Sequence, residues 1–176
     1  MIVYFLRHAS AGKATPNPKK DERRPLDDEG ILQTRYIGRM LAALDLQVDH
    51  ILSSPLKRST QTASLVANEL AHEGPVKTHA ALRPGARYED FLELLAYFRK
   101  SESIIVVGHN PNMAEFLSRT ISSKTGAAQV DFKKGAVARV DLAGRSGTLE
   151  WMVTPRIARA LQSSLKSSSR PKTARK

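Results

Sequence analysis

The chain contains no cysteine in its 176 residues. Disulfides and thiolate metal sites are thereby excluded. Aromatic residues make up only 6% of it, with a single tryptophan. No apolar stretch approaches the roughly 18 residues needed to cross a bilayer. The apolar run over residues 2–6 is too short for a signal-peptide core, and Arg7 ends it. The protein is therefore expected to be cytoplasmic, with no membrane partner. No histidine has another histidine four residues away with an acid spacing suited to a metal, so His50, His72 and His79 read as structural.

A hydrophobic fraction of 41% and a charged fraction of 26% describe a globular chain long enough for one sizeable core. The net charge is +11, unevenly spread. From Arg156 onward there are seven Lys or Arg (Arg156, Arg159, Lys166, Arg170, Lys172, Arg175, Lys176) and no acid. The rest keeps 21 basic and 17 acidic residues, a net of +4. The expected organisation is one domain over 1–155 and a basic tail over 156–176, a short helix followed by disorder after about Leu165. Such a tail either solubilises the domain or meets an acidic partner. Nucleic acid is disfavoured, because the tail lacks aromatic residues to stack on bases.

Strand and helix patterns alternate along the domain. Residues 2–6 suit a buried strand, and 11–28, with three prolines, read as a loop. Residues 29–44 read as a helix with Ile37, Met40, Leu41 and Leu44 on one face. A short strand over 50–53 precedes a helix over 56–72, a weak strand over 76–79 and a third helix marked by Tyr88, Phe91, Leu92, Leu95 and Phe98. Residues 103–107 form the strongest strand signal. Asn110 and Pro111 suit the N-cap and first turn of a helix burying Met113, Phe116, Leu117 and Ile121. Strands over 136–142 and 148–153 flank a hairpin connection at Gly144-Arg145-Ser146-Gly147, and a last helix covers 155–165. The fold class is α/β: a three-layer sandwich with a mostly parallel central sheet, helices on both faces and an antiparallel hairpin at one side.

Chemistry-bearing residues collect where strands end. Arg7 and His8 follow the first strand, Ser53, Ser54 and Arg58 the second, and His109 the strand ending Val106-Val107. Ligands of open α/β sheets bind outside the carboxyl ends of strands. Arginine presents a planar fork of donors that matches phosphate oxygens. Arg23 and Arg24 lie in the loop that must pass the first strand's exit. Several arginines around an imidazole disfavour its protonation and keep it nucleophilic.

Leu6-Arg7-His8-Ala9, then Ser53-Ser54-Pro55-x-x-Arg58-x-x-Gln61-Thr62-Ala63, then Val107-Gly108-His109-Asn110-Pro111 resemble the histidine phosphatase superfamily, the phosphoglycerate-mutase-like fold. Ala9 stands where the family usually has glycine. The short chain and Arg24-Pro25-Leu26 before an acidic-Gly helix start are similar to the SixA-type phosphohistidine phosphatases within it. The resemblance covers about residues 1–155. It implies His8 as the nucleophile that accepts the phosphoryl group and His109 as the second histidine contacting phosphate. It further implies Arg7 and Arg58 as phosphate holders, Arg24 as an additional phosphate-side arginine, and neither metal nor cofactor. Catalysis would be two in-line transfers, to His8 and then to water.

One departure matters. Mutases and many ester phosphatases of the superfamily carry a glutamate acid shortly after the third strand, where this chain has Leu82-Arg83-Pro84. Glu89 and Asp90 follow on a predicted helix and read as surface carboxylates. An alkoxide leaving group needs a placed acid; an imidazole protonated on its free nitrogen does not. The expected activity is metal-independent hydrolysis of phosphohistidine, in a protein or a small phosphoramidate. The alternatives are a phosphatase of small phosphate esters and a non-catalytic polyanion-binding module.

Overall fold

The computed structural model describes residues 1–122, 128–144 and 146–168, with side chains to residue 164. Six strands make one sheet in the order β3-β2-β4-β1-β5-β6. They are β1 (Ile2–Arg7), β2 (His50–Ser53), β3 (Lys77–Thr78), β4 (Ser103–Gly108), β5 (Val137–Ala143) and β6 (Ser146–Val153). β1 runs parallel to β4, β4 to β2, and β2 to β3. β5 is antiparallel to β1 and forms an antiparallel hairpin with β6. The carboxyl ends of β1, β2 and β4 therefore emerge together, in the registers Leu6↔Val107 and Ser53↔Val107.

The central strands are continuous apolar runs because both their faces are covered. Val3 and Phe5 of β1, with Ile104 and Val106 of β4, pack toward α4 (Tyr88–Tyr97) and α5 (Asn112–Ile121) through Phe91 and Phe116. Tyr4, Leu6, Ile105 and Val107 point the other way, as the period of two requires. There they meet Ile37 and Leu41 of α2 (Asp28–Ala43), Ala63 and Val66 of α3 (Lys57–Glu69), and Ala158 of α6 (Pro155–Ser168). The three-layer α/β expectation holds.

Four local readings need correction. The stretch 11–28 is not all loop: α1 (Pro18–Glu22) forms there, capped by the Asn17 side chain, which accepts from Lys20 N. Leu44 is 58% exposed, because α2 stops at Ala43 and the chain leaves the buried face. Asn110 does not cap α5, which starts at Asn112; its side-chain amide donates instead to Phe132 O at 3.0 Å. Ser146 and Gly147 belong to β6 rather than to the turn, and Arg145 lies outside the described residues. The last helix runs on to Ser168; the disorder expected farther along falls on 169–176, also outside the described residues. Among the described residues, no helix is long and apolar enough to cross a membrane.

Candidate active site

His8 leaves the end of β1 with its backbone tied to the neighbouring strand, His8 N donating to Gly108 O at 3.0 Å. Its ring Nδ1 lies 2.8 Å from Ala9 O. A carbonyl can only accept, so Nδ1 carries the proton and Nε2 keeps a free lone pair. The ring is 8% exposed. Its pKa is lowered to about 4, by burial first; the Ala9 hydrogen bond opposes this, and the charges of Arg58, Arg7 and Arg24 add to it. The direction is the one the arginines alone suggested, but desolvation is the larger cause.

His109 follows β4 and faces His8, with ring centroids 4.8 Å apart and planes inclined at 56°. Its Nε2 sits 2.8 Å from Ser54 Oγ. That oxygen also accepts from Leu56 N at 3.4 Å; in the tautomer where the hydroxyl donates to Nε2, the neutral ring bears its own hydrogen on Nδ1. Nδ1 is buried and unpartnered. Burial, then the charges of His8 and Arg58, push the His109 pKa down to about 2.

Arg7 and Arg58 are both braced by main-chain carbonyls at one end and lack a partner at the other. Arg7 Nη1 donates to Phe132 O at 2.7 Å, the carbonyl that also takes Asn110. Arg58, only 5% exposed in the first turn of α3, donates through Nη1 to Asp21 O at 2.8 Å and lies 3.2 Å from Asp21 Oδ2. The Nε of both arginines is buried without a partner. A buried unsatisfied donor costs about 1–3 kcal/mol. The unpartnered Nε atoms of Arg7 and Arg58 and Nδ1 of His109, on residues whose charges act on one another, are suited to receiving an anion.

Arg24 is placed differently. Its Nε donates to Asp21 Oδ1 at 2.9 Å, and its Nη1 donates to Ala11 O and Gly12 O. It holds α1 and the loop after β1 together, while its charge is felt at His8. Arg23 is exposed.

The remaining motif residues shape this loop. Thr62 Oγ1 accepts from Ala9 N at 3.2 Å and donates to Arg58 O at 2.8 Å. Gln61 Oε1 accepts from Leu26 N at 2.8 Å. Asp27 caps α2 through Gly30 N and takes Ser10 Oγ and Gly12 N on its other oxygen. Gly30 lets α2 approach the loop: a Cβ there would lie 1.9 Å from Ser10 O. At the position of the ester-acting members' acid, Arg83 pairs with Glu22 and Pro84 is exposed. Glu89 accepts from Arg119 at 3.1 Å and Asp90 from Arg87 at 2.9 Å, both away from the histidines on the surface.

The sequence places Ser54 at a strand end and Thr62 in a motif without showing what either binds, and it does not single out Asp21. Asn17-Pro18, a cap followed by a first-turn proline, was the available signal for α1 and hence for Asp21.

Residues 3–84 match the family model described as the histidine phosphatase superfamily (branch 1). An uncharacterized protein of Picosynechococcus sp. is 30% identical over 140 residues, covering 78% of this chain and 82% of that one. The chain belongs to the histidine phosphatase superfamily. Its likeness within the superfamily is to the SixA type. Phosphohistidine phosphatase SixA of Escherichia coli K12 is 25% identical over 161 residues, 88% of this chain and 94% of SixA. The structure of a protein histidine phosphatase SixA complexed with tungstate superposes with a TM-score of 0.78 at 23% identity, covering 89% of this chain and 98% of that chain. The latter likeness establishes the shared fold of the histidine phosphatases and their mixed sheet.

Proposed function

We propose that this histidine phosphatase hydrolyses phosphohistidine, in a protein or a small phosphoramidate, through a phosphorylated His8. The observation carrying the proposal is the His8 ring: Nδ1 is bound to Ala9 O, Nε2 is left unprotonated, and it stands among arginine donors with no partner of their own. Arg7 and Arg58 hold the phosphoryl oxygens through their free Nε edges. His109 donates from Nδ1 to the same group. Arg24 contributes charge and fixes the loop. The unit responsible is residues 1–155 together with α6, whose Ala158 packs into the core, and the basic residues of 156–176 suit acidic partners.

In the first step His8 Nε2 forms a bond to phosphorus as the substrate's P–N bond breaks, and the bond's electron pair returns to the leaving imidazole nitrogen. With the remote nitrogen of that imidazole already protonated, it departs neutral, while His8 becomes the phosphorylated imidazolium. Water then attacks phosphorus, and His8 leaves as the neutral ring it was. No proton is delivered to the breaking bond in the first step, which suits a chain with Pro84 at the acid position.

The test is a comparison of kcat/KM on phosphohistidine with a panel of alkyl and aryl phosphate esters, using the same enzyme preparation. Phosphohistidine should rank first by a wide margin over alkyl esters. Preferential hydrolysis of an alkyl ester would overturn the proposal in favour of a small-ester phosphatase. Phosphate binding without turnover of any substrate would leave only an anion-binding module.

A further inference from the structure

Asp21 places a carboxylate on an arginine assigned to phosphate, in a site otherwise built from cations. Its Oδ2 is 3.2 Å from Arg58 Nη1 and its Oδ1 accepts from Arg24 Nε at 2.9 Å and Thr15 N at 3.2 Å. The side chain is nevertheless 21% exposed, so the carboxylate is not sealed off by its partners. Arg58 would suffer little from losing it as a hydrogen-bond partner alone, because Asp21 O already accepts from the same Nη1 at 2.8 Å. Its negative charge also reaches His109, where it opposes the cations.

Burial works to raise the Asp21 pKa, but hydrogen bonds from Arg24 and Thr15 with the Arg58 charge outweigh it and hold the carboxyl below its ordinary range. Asp21 therefore stays ionised at neutral pH and is unsuited to donating a proton. It is suited to accepting a hydrogen bond from a cationic group, and it repels an anionic one.

We propose that Asp21 determines the leaving-group class: its carboxylate, exposed beside Arg58, accepts the N–H of the substrate imidazole nitrogen remote from phosphorus. This inference rests on the phosphohistidine reading above. The contact favours the protonated ring that can depart neutral. An alkoxide or phenolate developing in the same place would meet a fixed negative charge. The substrate proton stays on its nitrogen throughout, so the balance of the transfer step is unaltered.

The experiment measures kcat/KM of wild type, Asp21→Asn and Asp21→Glu on N-phosphoimidazole and on p-nitrophenyl phosphate, whose leaving phenolate needs no proton. Asparagine keeps size and a hydrogen-bonding oxygen but removes the charge. The ratio of the two rates should fall roughly tenfold or more in Asp21→Asn, the scale of one lost charged hydrogen bond. Asp21→Glu should restore much of the ratio. A proportionate loss on both substrates in Asp21→Asn would overturn the inference and make Asp21 a positioning residue for Arg58. An unchanged ratio with unchanged rates would overturn it as well. Wild-type enzyme inactive on N-phosphoimidazole but active on the ester would instead overturn the substrate reading on which the inference stands. If Asp21→Asn does not fold, Asp21→Ser read in the same way decides the matter, since it also removes the charge on an exposed five-residue helix.

Discussion

His8 and His109 face each other with ring centroids 4.8 Å apart, and both are held neutral. Two imidazolium ions at this distance would repel, and burial makes each charge costly. The two rings are bound by opposite nitrogens: His8 by Nδ1 to Ala9 O, His109 by Nε2 to Ser54 Oγ. His8 is thus left with a lone pair on Nε2, and His109, in the tautomer that accepts from Ser54, with a donor on its unpartnered Nδ1. Two residues of the same type can then attack phosphorus and bind its oxygen.

The first consequence is a trappable adduct. Rapid acid-free quenching during turnover of labelled substrate should give a base-stable, acid-labile phosphoryl group on His8. His8→Ala should lose the adduct and the activity together. Full activity in His8→Ala would exclude this mechanism.

The pH dependence of stability follows from the same pair. Both rings have folded-state pKa values below the 6.5 of an unfolded chain, about 4 for His8 and about 2 for His109. Below pH 6.5 the unfolded chain binds protons that the folded one refuses. The stabilisation is therefore complete above pH 6.5 and is lost as the pH falls toward 4 for His8 and toward 2 for His109. Between pH 7 and 5 the loss is on the order of 2 kcal/mol per histidine. Urea unfolding at the two pH values measures it. A variant with both His8→Gln and His109→Gln should show a much shallower dependence, and an equal slope would mean that other groups carry it.

The sheet was legible because its central strands are apolar on both faces, a pattern residues 2–6 and 103–107 state without ambiguity. The four motif residues at strand ends were legible because strand ends are where α/β sheets place ligands. Asn110 misled because its side chain serves a carbonyl 22 residues away, at Phe132, and no local rule anticipates that. Asp21 was invisible for a related reason. Its partner Arg58 is 37 residues distant, and the proline-rich stretch around it hid a five-residue helix. Local pattern identifies elements and their ends; bonds that span elements need the fold.

Arg58→Lys should not be conservative. Lysine keeps the charge but cannot brace one nitrogen on Asp21 O while offering another to the substrate, as the guanidinium does. If the fork acts mainly on the transferring phosphoryl group, kcat and kcat/KM should fall together by about 10- to 100-fold, or about 1.4–2.7 kcal/mol. Steady-state kinetics distinguish this from a simple rise in KM, which would assign Arg58 to ground-state binding.

Chelation should leave the rate nearly unchanged. The positive charge that a metal would supply to a transferring phosphoryl group is present here as Arg7 and Arg58, whose Nε donors have no protein partner. Extended EDTA treatment followed by assay checks this. Loss of activity that one added divalent ion restores would contradict it.

Gly30→Ala tests whether the loop after β1 is set by backbone contact rather than by its own sequence. The added Cβ would lie 1.9 Å from Ser10 O and 2.9 Å from Ser10 C, both main-chain atoms. No side chain can rotate aside, so either α2 or the loop must move. Ser10 also donates to Asp27, and Ala9 N to Thr62, so displacement of the loop reaches the carbonyl that holds His8 Nδ1. Overpacking of this kind costs about 1–3 kcal/mol, and more where backbone must shift. The variant should therefore unfold at lower urea and, where still folded, show a lower kcat on small substrates that do not touch α2. Thermal or urea unfolding measures the first effect, and kinetics at a temperature where the variant is fully folded measure the second. A destabilised variant with wild-type kcat would mean that the loop yields without moving His8, and that the Ala9 contact does not depend on how closely α2 approaches.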